Sequence, residues 1–151
     1  MERAEKARQY FLDGYNCAQA VALAFSDLTT LSESEIARLT SGFGGGVGRL
    51  REVCGSVSGM AFIMSALYGY DDPEDNDNKK ALYSRIQECA KEFEKENGSI
   101  VCRELLGLTD KEIPSPTPEK RNEKYYKKRP CSELVYCSAK ILNDYINKDR
   151  G

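Results

Sequence analysis

The sequence contains no histidine and no tryptophan. The missing histidine removes Ser-His-Asp and Cys-His catalysis, every zinc site that needs an imidazole, the two-His-one-carboxylate iron site and haem attachment through Cys-x-x-Cys-His. No Cys-x-x-Cys occurs, so thioredoxin-type and ribbon-type motifs are absent as well. There is no excess of positive charge: 22 Lys and Arg face 24 Asp and Glu, for a net charge of −2. That speaks against nucleic-acid binding driven by bulk charge. No apolar run is long enough for a membrane span, since the longest, Val57 to Tyr70, falls short of about 20 residues. The N-terminus, Met-Glu-Arg-Ala-Glu-Lys-Ala-Arg, lacks the apolar stretch of a signal peptide. The expectation is a cytoplasmic protein whose thiols stay reduced unless they carry redox or metal chemistry.

What is present is thiol. Six cysteines stand in 151 residues, a length that suits one domain. The elements around them read as helices, and no segment alternates like a strand. A first helix spans 2–13 and is closed by Gly14. Asn16 with Gln19, and Ser32 with Glu35, have the form of capping boxes opening helices at 17–25 and 33–40. Gly42-Phe-Gly-Gly-Gly-Val-Gly48 cannot be helical at five glycines in seven residues. A small-residue helix at 52–68 follows, expected to be central and deeply buried. An amphipathic helix covers 78–97 with Leu82, Ile86, Cys89, Ala90 and Phe93 on one face. Ser99 caps a short helix over 100–106. The stretch 109–129 reads as irregular and partly basic, and a last helix runs from Pro130 at its first position to 147. The fold expectation is all-α: a single-domain bundle of about six helices with a glycine-rich loop before the central one.

Helix starts divide the cysteines. Cys17, Cys54, Cys102 and Cys131 fall at or near the first turn of four helices, whereas Cys89 and Cys137 lie in helix interiors beside apolar residues. A helix N-terminus offers free N–H groups and about half a positive charge, which favours thiolate. Thiolate is the form that attacks disulfides and binds metals. Cys131 and Cys137 cannot bridge each other, because six residues of helix separate them by about 9 Å of rise. The other pair reads as core, since free cysteine behaves as a small hydrophobe. The glycine loop fails both the dinucleotide and the P-loop patterns. It remains a candidate anion nest at Gly44, Gly45, Gly46 and Arg49, next to Arg51, or a bare backbone that leaves room beside a thiol. Lys120 to Arg129 reads as a solvated basic segment.

Several segments resemble a known family. Tyr15-Asn-Cys-Ala-Gln-Ala-Val21, Gly42-Phe-Gly-Gly-Gly-Val-Gly-Arg49, Glu52-Val-Cys-Gly-Ser-Val-Ser-Gly59, Gly98-Ser-Ile-Val-Cys-Arg-Glu-Leu105 and Cys131-Ser-Glu-Leu-Val135 are similar to the redox-active proteins named for their C_GCAxxG_C_C cysteine pattern. The similarity runs from about residue 5 to 145, and its motif cysteines map onto Cys17, Cys54, Cys102 and Cys131. This chain reads Cys54-Gly-Ser where the pattern has Gly-Cys-Ala. The resemblance implies thiol redox chemistry. It extends to a domain of split-Soret cytochromes in which an iron–sulfur centre occurs, which implies an iron–sulfur cluster as an alternative. Three expectations follow: a dithiol redox protein with Cys17 or Cys131 attacking, a module in which the four thiolates hold iron–sulfur or, less readily, zinc, and a structural protein with reduced cysteines. The partners expected are a redox protein or small substrate and a second copy of the chain, without nucleic acid or membrane.

Overall fold

In a computed structural model the chain is described over residues 1–108 and 114–150. Among these residues it is all-α, with no strand longer than an isolated bridge. The helices are α1 (Arg3–Leu12), α2 (Cys17–Leu23), α3 (Glu33–Thr40), α4 (Gly55–Tyr68), α5 (Asn76–Asn97), α6 (Cys102–Leu105), α7 (Glu123–Lys128) and α8 (Cys131–Arg150). No helix of the described residues is long and apolar enough to cross a membrane.

The local signals that start and stop these helices are the ones the side chains dictate. Asn16 accepts from the Gln19 amide while the Gln19 side chain accepts from the Asn16 amide, and Ser32 and Glu35 repeat the arrangement. Each box satisfies two N–H groups that a helix start leaves without partners. Asp75 caps α5, and Gly98 ends it in the left-handed conformation. Burial follows the apolar faces: Ala4, Ala7 and Phe11 from α1; Ala20 to Leu23 from α2; Val57, Met60, Ile63 and Met64 from α4; Leu82, Cys89 and Phe93 from α5; and Leu134, Val135, Leu142 and Ile146 from α8. Helix α1 lies against α8, and α2 lies against α4.

Four readings of the sequence change. The small-residue helix begins at Gly55 rather than 52, because the Val53–Val101 bridge and the bonds beside it tie residues 52–54 to the segment 100–102. Its burial reaches Met64, while Ser65 and Ala66 face solvent. Pro130 precedes the first residue of α8 instead of occupying it, and α8 continues to Arg150. The short helix near 100 starts at Cys102. Ser99 does not cap it, but accepts from the Val101 amide and donates to Glu104. The basic segment contains a seventh helix in chain order, opened by Asn122 accepting from the Tyr125 amide. Residues 109–113 of the stretch expected to be irregular lie outside the described residues.

Gly59 sets the α2–α4 spacing. A Cβ there would stand 2.6 Å from the Ala18 carbonyl oxygen and 3.1 Å from the Val21 Cβ. Backbone cannot yield as a side-chain tip can, so Gly59→Ala is expected to cost about 2 kcal/mol as an overpacking change. Urea denaturation, read as a lowered midpoint at constant slope, measures it.

Candidate functional site

The four helix-start thiols are brought to one place by two devices. The first is a pair of main-chain stitches. The Cys54 amide donates to the Ile100 carbonyl at 2.8 Å, and the Cys102 amide donates to the Glu52 carbonyl at 2.6 Å. These bonds flank the antiparallel bridge between Val53 and Val101, and they set Cys54 at the start of α4 beside Cys102 at the start of α6. The second is close packing around glycine. A Cβ on Gly55 would lie 3.0 Å from the Cys17 Cβ, and one on Gly46 would lie 2.7 Å from the Cys102 Cβ. Cys17, Cys54, Cys102 and Cys131 together line a cavity of about 70 Å³, walled also by Phe11, Arg51, Tyr125 and Leu134.

The glycine loop is wound left-handed. Gly45, Gly46, Val47, Gly48 and Arg49 all have φ between 56° and 72°, and Arg51 follows at 62°. For Val47, Arg49 and Arg51 this conformation is strained by about 1–3 kcal/mol each. The amides of Val47 to Glu52 are spent on carbonyls within the loop, for example Gly48 to Gly42 at 2.8 Å and Glu52 to Gly46 at 3.0 Å. Those amides, that of Arg49 among them, are therefore not free for an anion. The loop also delivers the Arg51 side chain inward, 9 % exposed, with one guanidinium nitrogen 3.7 Å from the Cys102 sulfur.

Electrostatics separate the thiols. Cys17 and Cys131 face the same cavity and influence each other as a pair. Hydrogen bonding between the two thiols is the largest influence on both groups: it pushes Cys17 well above the ordinary thiol range and holds Cys131 below it. Burial opposes the lowering at Cys131, while the charges of Arg129, Arg51 and Arg121 assist it. Cys102 is raised by burial, with Arg51 pulling the other way. Cys54 is pushed up to about 11 by burial, partly offset by Ser56. Of the two helix-start candidates for the attacking thiol, Cys131 is therefore the one whose thiolate form is favoured.

The remaining two thiols are not both core. Cys89 is buried and pushed to about 12 by burial next to Glu88 and Glu92. Cys137 is only partly buried. It donates to Glu96 at 3.0 Å, accepts from Asn97 at 3.4 Å, and is pushed to about 11 by burial and the Glu96 carboxylate. Both line one surface groove between α5 and α8.

Two residues that the sequence left in solvent belong to the site. Arg121 donates to the main-chain carbonyls of Phe11 and Tyr15, the latter at 2.8 Å, and its guanidinium lies 4.2 Å from the Phe11 ring centre. Arg129 pairs with Glu119 at 2.5 Å and holds that carboxyl below the usual range against the opposing effect of burial. The usable signal was position: Arg51 stands three residues before Cys54 and Arg129 two before Cys131, so each arginine enters with its cysteine.

The donor set for a metal would be Cys17, Cys54, Cys102 and Cys131, and sulfur of this number suits iron–sulfur or zinc. As they stand, however, no group of three or more Cys, Asp or Glu among the described residues is placed to hold a metal ion. The Cys102 sulfur accepts from the Arg51 guanidinium.

No curated protein and no solved structure is significantly similar to the chain. A sequence family does match it over residues 15–145, a span that includes all four clustered cysteines. The chain belongs to that family, described as "Putative redox-active protein (C_GCAxxG_C_C)".

Proposed function

We propose that the protein is a dithiol–disulfide oxidoreductase in which Cys131 attacks and Cys17 resolves. The observation that carries this is the cavity that Cys17 and Cys131 share, flanked by the guanidinium groups of Arg51 and Arg121. The Cys131 thiolate attacks one sulfur of a disulfide RSSR, forming Cys131–S–S–R and releasing RS⁻. Cys17 gives its proton to that leaving thiolate and attacks the Cys131 sulfur. A Cys17–Cys131 disulfide forms and the second RS⁻ departs. Two electrons pass from the protein's thiolate and thiol to RSSR, which becomes one thiol and one thiolate, and the thiolate takes its proton from water. An oxidised protein runs the same steps backwards on a dithiol.

A second reading rests on the shared cavity itself: four thiolates closing in on one centre would hold an iron–sulfur cluster. One preparation separates the two. The protein is purified without oxygen and analysed for metal, then oxidised mildly, digested and mapped for disulfides. The expected result is no bound metal and a Cys17–Cys131 disulfide, with Cys89 and Cys137 still free. Visible sulfur-to-iron absorption with about two irons per chain would overturn the dithiol reading. So would six free thiols after oxidation, which would point to a structural role.

A further inference from the structure

Beside the thiol cavity, and sharing Cys131, Arg51, Arg121 and Tyr125 with it, lies a larger open pocket of about 410 Å³. That is the size range of a small-molecule site. Its ionisable walls are strongly one-sided. Four guanidinium groups, Arg49, Arg51, Arg121 and Arg129, face a single carboxylate, Glu119, and Glu119 is already paired with Arg129. This contrasts with a chain whose net charge is −2, so the positive field is local.

Two of the four arginines are not used up by the fold. Arg49 has no hydrogen-bonded side-chain partner among the described residues. Arg51 is buried to nine-tenths, and its Nε is left with no hydrogen-bond partner. A buried guanidinium nitrogen without an acceptor is costly, and an anionic oxygen is the group that would satisfy it. Gly44, Gly45 and Pro116 supply a low, uncharged wall on which an aliphatic body can lie.

We infer that this pocket binds the substrate disulfide of the Cys131–Cys17 pair, and that the substrate is a low-molecular-weight disulfide carrying carboxylates on both halves. The inference rests on the dithiol reading above and adds the substrate class. The carboxylates of one half sit against Arg49 and Arg51, which places the disulfide bond over Cys131. Attack then follows the steps already given: the Cys131–S–S–R bond forms, the S–S bond of the substrate breaks, and the released anionic thiolate takes the Cys17 proton.

The test compares three disulfides on the reduced full-length protein: glutathione disulfide (anionic), hydroxyethyl disulfide (neutral) and cystamine (cationic). The rate of Cys17–Cys131 disulfide formation is divided by each compound's rate with dithiothreitol, which removes intrinsic reactivity. The expected normalised rate for glutathione disulfide exceeds that for the neutral compound by about tenfold. Cystamine is slowest. The tenfold ratio shrinks in about 1 M salt, where charges are screened beyond about 3 Å, and it shrinks in Arg49→Gln. Equal normalised rates, or a faster cationic compound, overturn the inference and leave the dithiol reading standing. Failure of all three compounds to produce the Cys17–Cys131 disulfide overturns the dithiol reading, and the inference falls with it.

Discussion

Cys17→Ala is expected to stop the reaction at a mixed disulfide. With glutathione disulfide, intact-mass measurement should show one glutathione per chain on Cys131, persisting for hours, where the unaltered protein passes through this species to an internal disulfide. Resolution inside the protein is intramolecular. Replacing it by attack from a millimolar external thiol is expected to slow release at least about a hundredfold. The same substitution acts on the first step, in the opposite place. Hydrogen bonding with Cys17 favours the charged form of Cys131. Removing the donor removes that help, so the Cys131 titration moves up and the rise of alkylation rate with pH shifts to higher pH. At pH 7 the first step is expected to slow about threefold to tenfold, because a hydrogen bond to a charged group is worth more than a neutral one while a more basic thiolate is a somewhat better nucleophile. Cys17→Ser separates the two effects. Its hydroxyl can still donate to the sulfur but cannot resolve, so it should trap the mixed disulfide with less change in the pH profile. Rapid turnover in both variants would remove Cys17 from the resolving role.

The helix starts were legible because capping is local. Asn16 with Gln19 and Ser32 with Glu35 meet within one turn, and no distant residue is needed to define them. The same locality singled out Cys17 and Cys131. Their meeting was not legible, since it depends on where α2 and α8 lie relative to each other, and that is decided by packing among faces such as those of Phe11, Val21, Val135 and Leu142. The start of α4 was misplaced for a related reason. Glu52 and Val53 have acceptable helical neighbours, but the bridge to Val101, 48 positions further on, holds them extended. Arg121 and Arg129 were hidden for another reason. A basic segment looks the same in sequence whether its charges meet water or main-chain carbonyls.

The strained loop connects these levels. Five glycines made a loop readable, yet three of its left-handed residues are not glycine. Strain at Arg49 and Arg51 persists because the surrounding hydrogen bonds, Arg49 to Gly44 at 3.2 Å and Arg51 to Gly45 at 3.0 Å, over-determine the path. In return, Arg51 arrives buried against Cys102 with Nε uncommitted. A relaxed loop would turn that guanidinium toward water and remove one of the three charges that favour the Cys131 thiolate.

Gly46→Ala is the substitution that should damage this arrangement most. Gly46 has φ of 72°, where an alanine is strained by roughly 1–2 kcal/mol. Its added Cβ would also stand 2.7 Å from the Cys102 Cβ, 2.7 Å from the Glu52 nitrogen and 2.8 Å from the Arg51 Cα. Two of these neighbours are main chain and the third is the root of a side chain, so none can rotate away. The loop must move, and with it the stitch from the Cys102 amide to Glu52. The combined loss is expected to be about 3 kcal/mol, taking the left-handed strain together with overpacking. For a chain of this length that corresponds to a fall in Tm of several degrees, near ~8 °C. The displaced Arg51 should also show in the chemistry. Alkylation of Cys131 in the folded variant is expected to rise with pH at higher pH than in the unaltered protein, since a charge that favours its thiolate has receded. Gly48→Ala is the control: φ is 56°, but a Cβ there meets nothing within 4 Å. It should show the left-handed strain alone, about 1 kcal/mol, with the Cys131 profile unmoved. Equal losses in the two variants, with equal pH profiles, would mean that contact between the loop and Cys102 does not organise the thiol site.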